Sequence, residues 1–147
     1  MSDAATETLS FVVERELAHP PEKIWRALTL PHLIEEWLMK NDFEPVVGHK
    51  FTLRAEPNPR WSGLVGCEVL AVEPNKELSY TWGPSGDGTP NNMKWVVTWT
   101  LTPKGTGTHL RMEQSGFRPD QQQNYKGAKF GWQRFFANLE RTLERID

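Results

Sequence analysis

The sequence predicts an α+β fold in which a curved antiparallel β-sheet wraps around a long C-terminal α-helix. Three observations carry this. Residues 9–18 alternate apolar and polar side chains, the period of a strand with one buried face. Residues 50–114 repeat that alternation in short segments parted by turn residues, the pattern of a meander. Residues 125–146 carry apolar side chains at steps of three and four, the stripe of a helix lying on a core.

In the first strand Leu9, Phe11, Val13, Arg15 and Leu17 alternate with Ser10, Val12, Glu14, Glu16 and Ala18, and His19-Pro20-Pro21 ends it. Pro21 suits the first turn of a helix, where its missing N–H is not needed. Ile24, Trp25 and Leu28 form the apolar side of that helix. Pro31 opens a second short helix with Leu33, Ile34, Trp37 and Leu38 inward. The meander strands are Lys50–Ala55, Leu64–Val72, Glu77–Trp82, Lys94–Thr102 and Thr108–Gln114. Pro57-Asn58-Pro59, Glu73-Pro74-Asn75-Lys76, Gly83 to Asn92 and Pro103 to Gly107 supply the turns. Trp95, Val97, Trp99 and Leu101 share one face, as do Leu110, Met112 and Gln114; the opposite faces are polar. Such a sheet is covered on one side only. In the last helix Tyr125, Ala128, Trp132, Phe135, Leu139, Thr142 and Ile146 recur, widened by Phe136 and Leu143, with Asp120 as the expected cap.

Composition narrows the function classes. The 147 residues fit one domain spanning 1–147. A net charge of -2 without a basic stripe argues against nucleic acid. Cys67 is the single cysteine, which suits a reducing compartment. The first ten residues lack the apolar run of a signal peptide, and no stretch reaches ~20 apolar residues. A cytoplasmic location without a membrane span is expected. Mean hydropathy is -0.60, so 7 Trp and 7 Phe must supply much of the burial.

These elements resemble the helix-grip fold of the START and birch-pollen-allergen (SRPBCC) superfamily, and more finely the family of activator of heat-shock protein 90 ATPase homologues. The carrying residues are Pro21-x-x-Ile24-Trp25-x-Ala27-Leu28-Thr29-x-Pro31, Trp37-Leu38, Gly63-x-Val65 and Glu73-Pro74-Asn75-Lys76-x-Leu78-x-Tyr80-x-Trp82. They continue through Leu101-Thr102-Pro103-x-Gly105-x-Gly107-Thr108-x-Leu110, Ser115-Gly116-Phe117 and Gly131-Trp132-x-x-Phe135-Phe136-x-x-Leu139. The resemblance implies an apolar cavity between sheet and long helix. It also raises a chaperone partner and a stress-response role. The eukaryotic activator is a longer protein carrying this domain as its C-terminal half, so the length here points to a stand-alone bacterial type with little ATPase stimulation.

Motifs for chemistry are weak. His32, Glu35 and Glu36 have helical spacing for a metal but read as a solvated face, so neither a metal nor a cofactor is expected. Cys67 has no cationic sequence neighbour to lower its pKa and reads as a small buried hydrophobe. The glycines of Gly83 to Gly88 lack phosphate-loop order. No acid–base pair stands out, which leaves a cyclase or hydrolase without a named residue. The expected function is binding of an apolar or aromatic small molecule. The expected cavity lining is Trp37, Phe51, Leu53, Trp82, Trp95, Val97, Trp99, Met112, Gln114, Phe117, Ala128, Trp132, Phe135 and Phe136. The same residues also describe a filled core, and the sequence leaves both open. Met112→Trp is expected to fill the cavity, and Gln114 is either its polar anchor or a wet strand end. Gly83 to Asn92 and Ser115 to Pro119 are the expected gates.

Overall fold

The computed structural model describes residues 9–57, 59, 63–84 and 95–146. In chain order these form β1 (Leu9–Leu17), α1 (Pro21–Thr29), α2 (Pro31–Trp37), β2 (Lys40–Asn41), β3 (Lys50–Arg54), β4 (Leu64–Glu73), β5 (Glu77–Pro84), β6 (Trp95–Lys104), β7 (Gly107–Phe117) and α3 (Gln122–Arg145). Seven strands make one sheet in the order β1-β7-β6-β5-β4-β3-β2, and every pairing is antiparallel. The first strand closes onto the last, with Phe11 opposite Gln114 and Val13 opposite Met112. This is the helix-grip architecture.

Local chemistry explains the elements. Leu30 ends α1 and begins α2 with an extended backbone, the conformation Pro31 imposes on its predecessor. Asn75 turns the β4–β5 connection with φ 65, a left-handed geometry that asparagine tolerates. At the β6–β7 hairpin a Cβ on Gly107 would sit 2.3 Å from the carbonyl oxygen of Leu17. Only glycine lets β1 approach there, which accounts for that part of the motif.

Three details differ from the sequence reading. β2 was not expected, because two residues carry no periodicity; the Asn41 side chain fixes it by donating to Pro31 O and accepting from the Phe43 N–H. β7 runs on through Ser115 to Phe117, so only Arg118 and Pro119 of that expected gate lie outside a strand. The other gate falls mostly at 85–92, outside the described residues. Asp120 does not cap α3, whose Gln121 N-cap position has no side-chain cap bond. The Arg118 guanidinium takes the Asp120 carboxylate at 2.9 and 3.2 Å and holds its pKa low.

The core lies between the concave sheet face and the second half of α3. Trp99 is its centre, with ring centroids 5.6 Å from Trp37, 5.7 Å from Trp132 and 5.6 Å from Phe136. Cys67 is buried, and burial raises its thiol pKa, so it is an unreactive packing group.

On the outer face His109 donates toward Glu16 and, at 2.6 Å, toward Glu14. Lys104 lies 3.5 Å from Glu16. Hydrogen bonds to Glu16 and then Glu14 raise the His109 pKa. The imidazolium is therefore favoured by folding. Its contribution is complete below the unfolded value of about 6.5 and fades as pH rises through the higher folded value. A ¹H–¹³C titration of the ring should give a midpoint above 6.5 that drops toward it in Glu14→Gln/Glu16→Gln. An unchanged midpoint would disprove the assignment.

Candidate functional site

Fourteen side chains were expected around one interior, and the structure sorts them into two groups. A pocket of about 420 Å³ opens between the sheet and the first half of α3. Trp82, Trp95, Gln114, Ala128, Trp132 and Phe135 line it. Trp37, Phe51, Leu53, Val97, Trp99, Met112, Phe117 and Phe136 are buried in the core cluster, which Trp95 and Trp132 also join, and do not appear on the pocket wall among the described residues. Met112 is fully buried, facing Val13 and Trp99 across the strands. Met112→Trp is therefore an overpacking substitution, not a pocket filler.

Residues that the sequence reading did not place on the wall complete it: Met39, Val65, Gln123, Asn124, Gly127 and Gly131. A signal for part of this set existed. Asn124, Gly127, Ala128, Gly131 and Phe135 follow steps of three and four, one helical face made mostly of small residues. Neither Gly127 nor Gly131 would bring a Cβ within 4 Å of another residue, so the sheet stands off from α3 there. Met39 and Val65 had no signal beyond their apolar character.

The polar groups are few and specific. Trp82 and Trp95 are direct cross-strand neighbours. The Trp82 ring lies 5.3 Å from that of Trp132, and Trp95 stacks on Phe117 at 4.9 Å. Trp95 Nε1 donates to Gln121 Oε1 at 3.2 Å. Trp132 Nε1 donates to Gln114 Oε1 at 2.8 Å. Gln114 is 1% exposed and β7 continues past it to Phe117, so it is a buried side chain and not a frayed strand end. Its Nε2 has no hydrogen-bond partner among the described residues. No described lining residue is acidic, basic or a histidine.

Other candidate chemistry is not assembled. His32, Glu35 and Glu36 sit on the exposed side of α2, and Glu36 pairs with Arg145. Among the described residues no three His, Cys, Asp or Glu side chains are arranged to hold a metal ion. A second hollow of about 450 Å³ lies beside Glu36, Arg141, Thr142 and Arg145. It is a surface groove of polar and charged side chains bordered by the Glu36–Arg145 ion pair, without the aromatic wall of the first pocket. No described helix is long and apolar enough to cross a membrane.

A sheet gripping a C-terminal helix, with an aromatic pocket between them, defines a helix-grip protein of the START and birch-pollen-allergen type. Within that class the chain belongs to the family described as Activator of Hsp90 ATPase homolog 1-like protein, whose model matches residues 18–144. No curated protein matches it. Among solved structures, a Mesorhizobium loti protein is 62% identical, with TM-score 0.85 over 95% of this chain and 99% of that one. CalU16 from Micromonospora echinospora shares the fold at 21% identity and TM-score 0.77, over 96% of this chain and 80% of that one. DynU16, a protein in the dynemicin biosynthetic locus, is 26% identical with TM-score 0.77. The match covers 92% of this chain and 47% of that one.

Proposed function

We propose that the protein binds an apolar or aromatic small molecule in the pocket between the sheet and α3. The observation that carries this is the pocket wall itself: Trp82, Trp95, Trp132 and Phe135 around about 420 Å³, with Gln114 as a buried polar point. Ligand sites are commonly hollows of roughly 300–1,000 Å³, mostly apolar with a few orienting polar groups. The likeness to DynU16 adds support, since that protein lies in the dynemicin biosynthetic locus. General acid–base catalysis needs a titratable group within reach of the substrate. The described wall offers apolar rings and neutral amides, so holding is the role that it supports.

The test is a titration with neutral aromatic compounds, read by tryptophan fluorescence and by thermal shift. Saturable quenching with an affinity on the order of micromolar is expected from apolar burial less the cost of association. A ligand that binds only the folded state raises the Tm as its concentration rises. A panel of two- and three-ring compounds that moves neither signal would refute the proposal.

A further inference from the structure

The free end of Gln114 says what an occupant must bring. The indole N–H of Trp132 is a donor only, and it points at Gln114 at 2.8 Å. The amide oxygen must therefore face Trp132, because the reverse orientation would set donor against donor. That leaves the NH₂ group as the free end. It is buried, and no acceptor among the described residues reaches it, while Gln114 lines the pocket. Its neighbours in register are Phe11 on β1 and Val97 on β6, neither with a polar side chain. Trp95, another polar side chain on the sheet wall, is also a donor and is engaged by Gln121. The neutral amides of Gln123 and Asn124 are on the exposed first turn of α3, at the rim and not at the floor.

We propose that the ligand is a neutral, flat molecule that presents a carbonyl-type acceptor, such as a ketone or quinone oxygen, to Gln114 Nε2. This rests on the pocket reading above and narrows it. A buried donor left unpaired is costly, so an occupant of this end gains by accepting from it. An acceptor carrying full charge would lose its hydration without a counter-ion on the described wall. The flat shape follows from the ring walls. Trp82 and Trp132 pack on each other at 5.3 Å with 50° between their planes, so an occupant meets the ring surface they leave toward the pocket, against which aromatic partners pack in offset or edge-on geometry.

A matched pair of probes tests this: 2-acetylnaphthalene, and 2-isopropenylnaphthalene, in which a CH₂ group replaces the carbonyl oxygen. Affinities are measured by calorimetry on the wild type and on Gln114→Met. The ratio of the two affinities should fall about tenfold or more in the variant. The double comparison cancels the difference in hydration between the probes. The variant should still bind the isopropenyl compound, which shows that its pocket is formed. If the ratio is the same in both proteins, the carbonyl inference is overturned while the pocket reading stands. If neither probe binds the wild type, both fall. Should Gln114→Met fail to fold, the wild type decides. The side-chain NH₂ signals of Gln114 in a ¹H–¹⁵N spectrum should move downfield with the acetyl compound and not with the isopropenyl compound. Equal shifts with both probes would overturn the inference.

Discussion

Trp99→Ala should destabilise the protein by about 3–5 kcal/mol, the range for deleting a buried aromatic side chain. Trp99 has no exposed surface. Its ring touches Trp37 edge-on at 5.6 Å and stacks on Phe136 at 5.6 Å. Trp37 cannot move into the space without breaking the hydrogen bond from its Nε1 to Ala27 O at 2.8 Å. A second loss adds to the first. Trp99 Nε1 donates to the Tyr80 hydroxyl at 3.0 Å, and Tyr80 is itself buried, so alanine removes that partner. Natural domains have only about 5–15 kcal/mol to lose. Urea denaturation should show a much lower midpoint with little change in m-value. Trp99→Phe keeps most of the ring packing and loses the N–H, so it should cost clearly less. A Trp99→Ala midpoint within error of the wild type would mean that the core is not centred on this ring.

Gly131→Leu should abolish ligand binding while leaving the fold as stable as before or more so. Gly131 lies on the pocket wall, and a Cβ there would meet nothing within 4 Å. Glycine inside a helix costs up to about 1 kcal/mol relative to alanine, so the substitution favours α3 locally. The added side chain then occupies space that the ligand needs. Binding of neutral aromatics should weaken about tenfold or more, since leucine takes contact area from the ligand. The unliganded Tm should stay level or rise. That combination separates a filled pocket from a damaged fold, which would lower both. Phe130→Ala is the control, because Phe130 is 77% exposed and is not on the wall. Undiminished affinity in Gly131→Leu would place the ligand elsewhere.

The fold was legible because its signals are periodic and local. The alternation in β1, β6 and β7 fixes which faces are buried, and a slip of one residue would turn every inward ring to solvent. Pro21, Pro31, Asn75 and Gly107 mark positions where the backbone needs a particular residue, and those positions make up much of the family motif. The helix stripe from Tyr125 onward identifies α3, and the length of that helix requires it to cross the sheet. Where the local signal was thin, as at the two residues of β2 or the start of α3, the sequence reading missed.

The site depended on something that periodicity does not encode. Trp95 and Trp99 lie on the same face of the same strand, two and four residues from Val97 and Trp95 respectively in an unbroken alternation. One lines the pocket and the other is sealed in the core. What separates them is the side chains that α3 presents opposite each ring. From Trp132 onward α3 buries Phe136, Leu139 and Leu143 against the core. Before it, Tyr125 packs edge-on against Phe11 and Phe117, but Gly127, Ala128 and Gly131 present too little side chain to fill the space beside Trp82 and Trp95. Gln114 was equally ambiguous in sequence. Its alternation shows that it faces inward, but a polar side chain facing inward can be an anchor or a wet strand end. The indole N–H of Trp132, 18 residues away in the chain, engages its oxygen and leaves its NH₂ group free. The sequence by itself therefore determined the sheet, the gripping helix and the inward faces. Only the tertiary structure decided where those faces meet and where they stand apart, because that depends on how two elements distant in the chain are spaced.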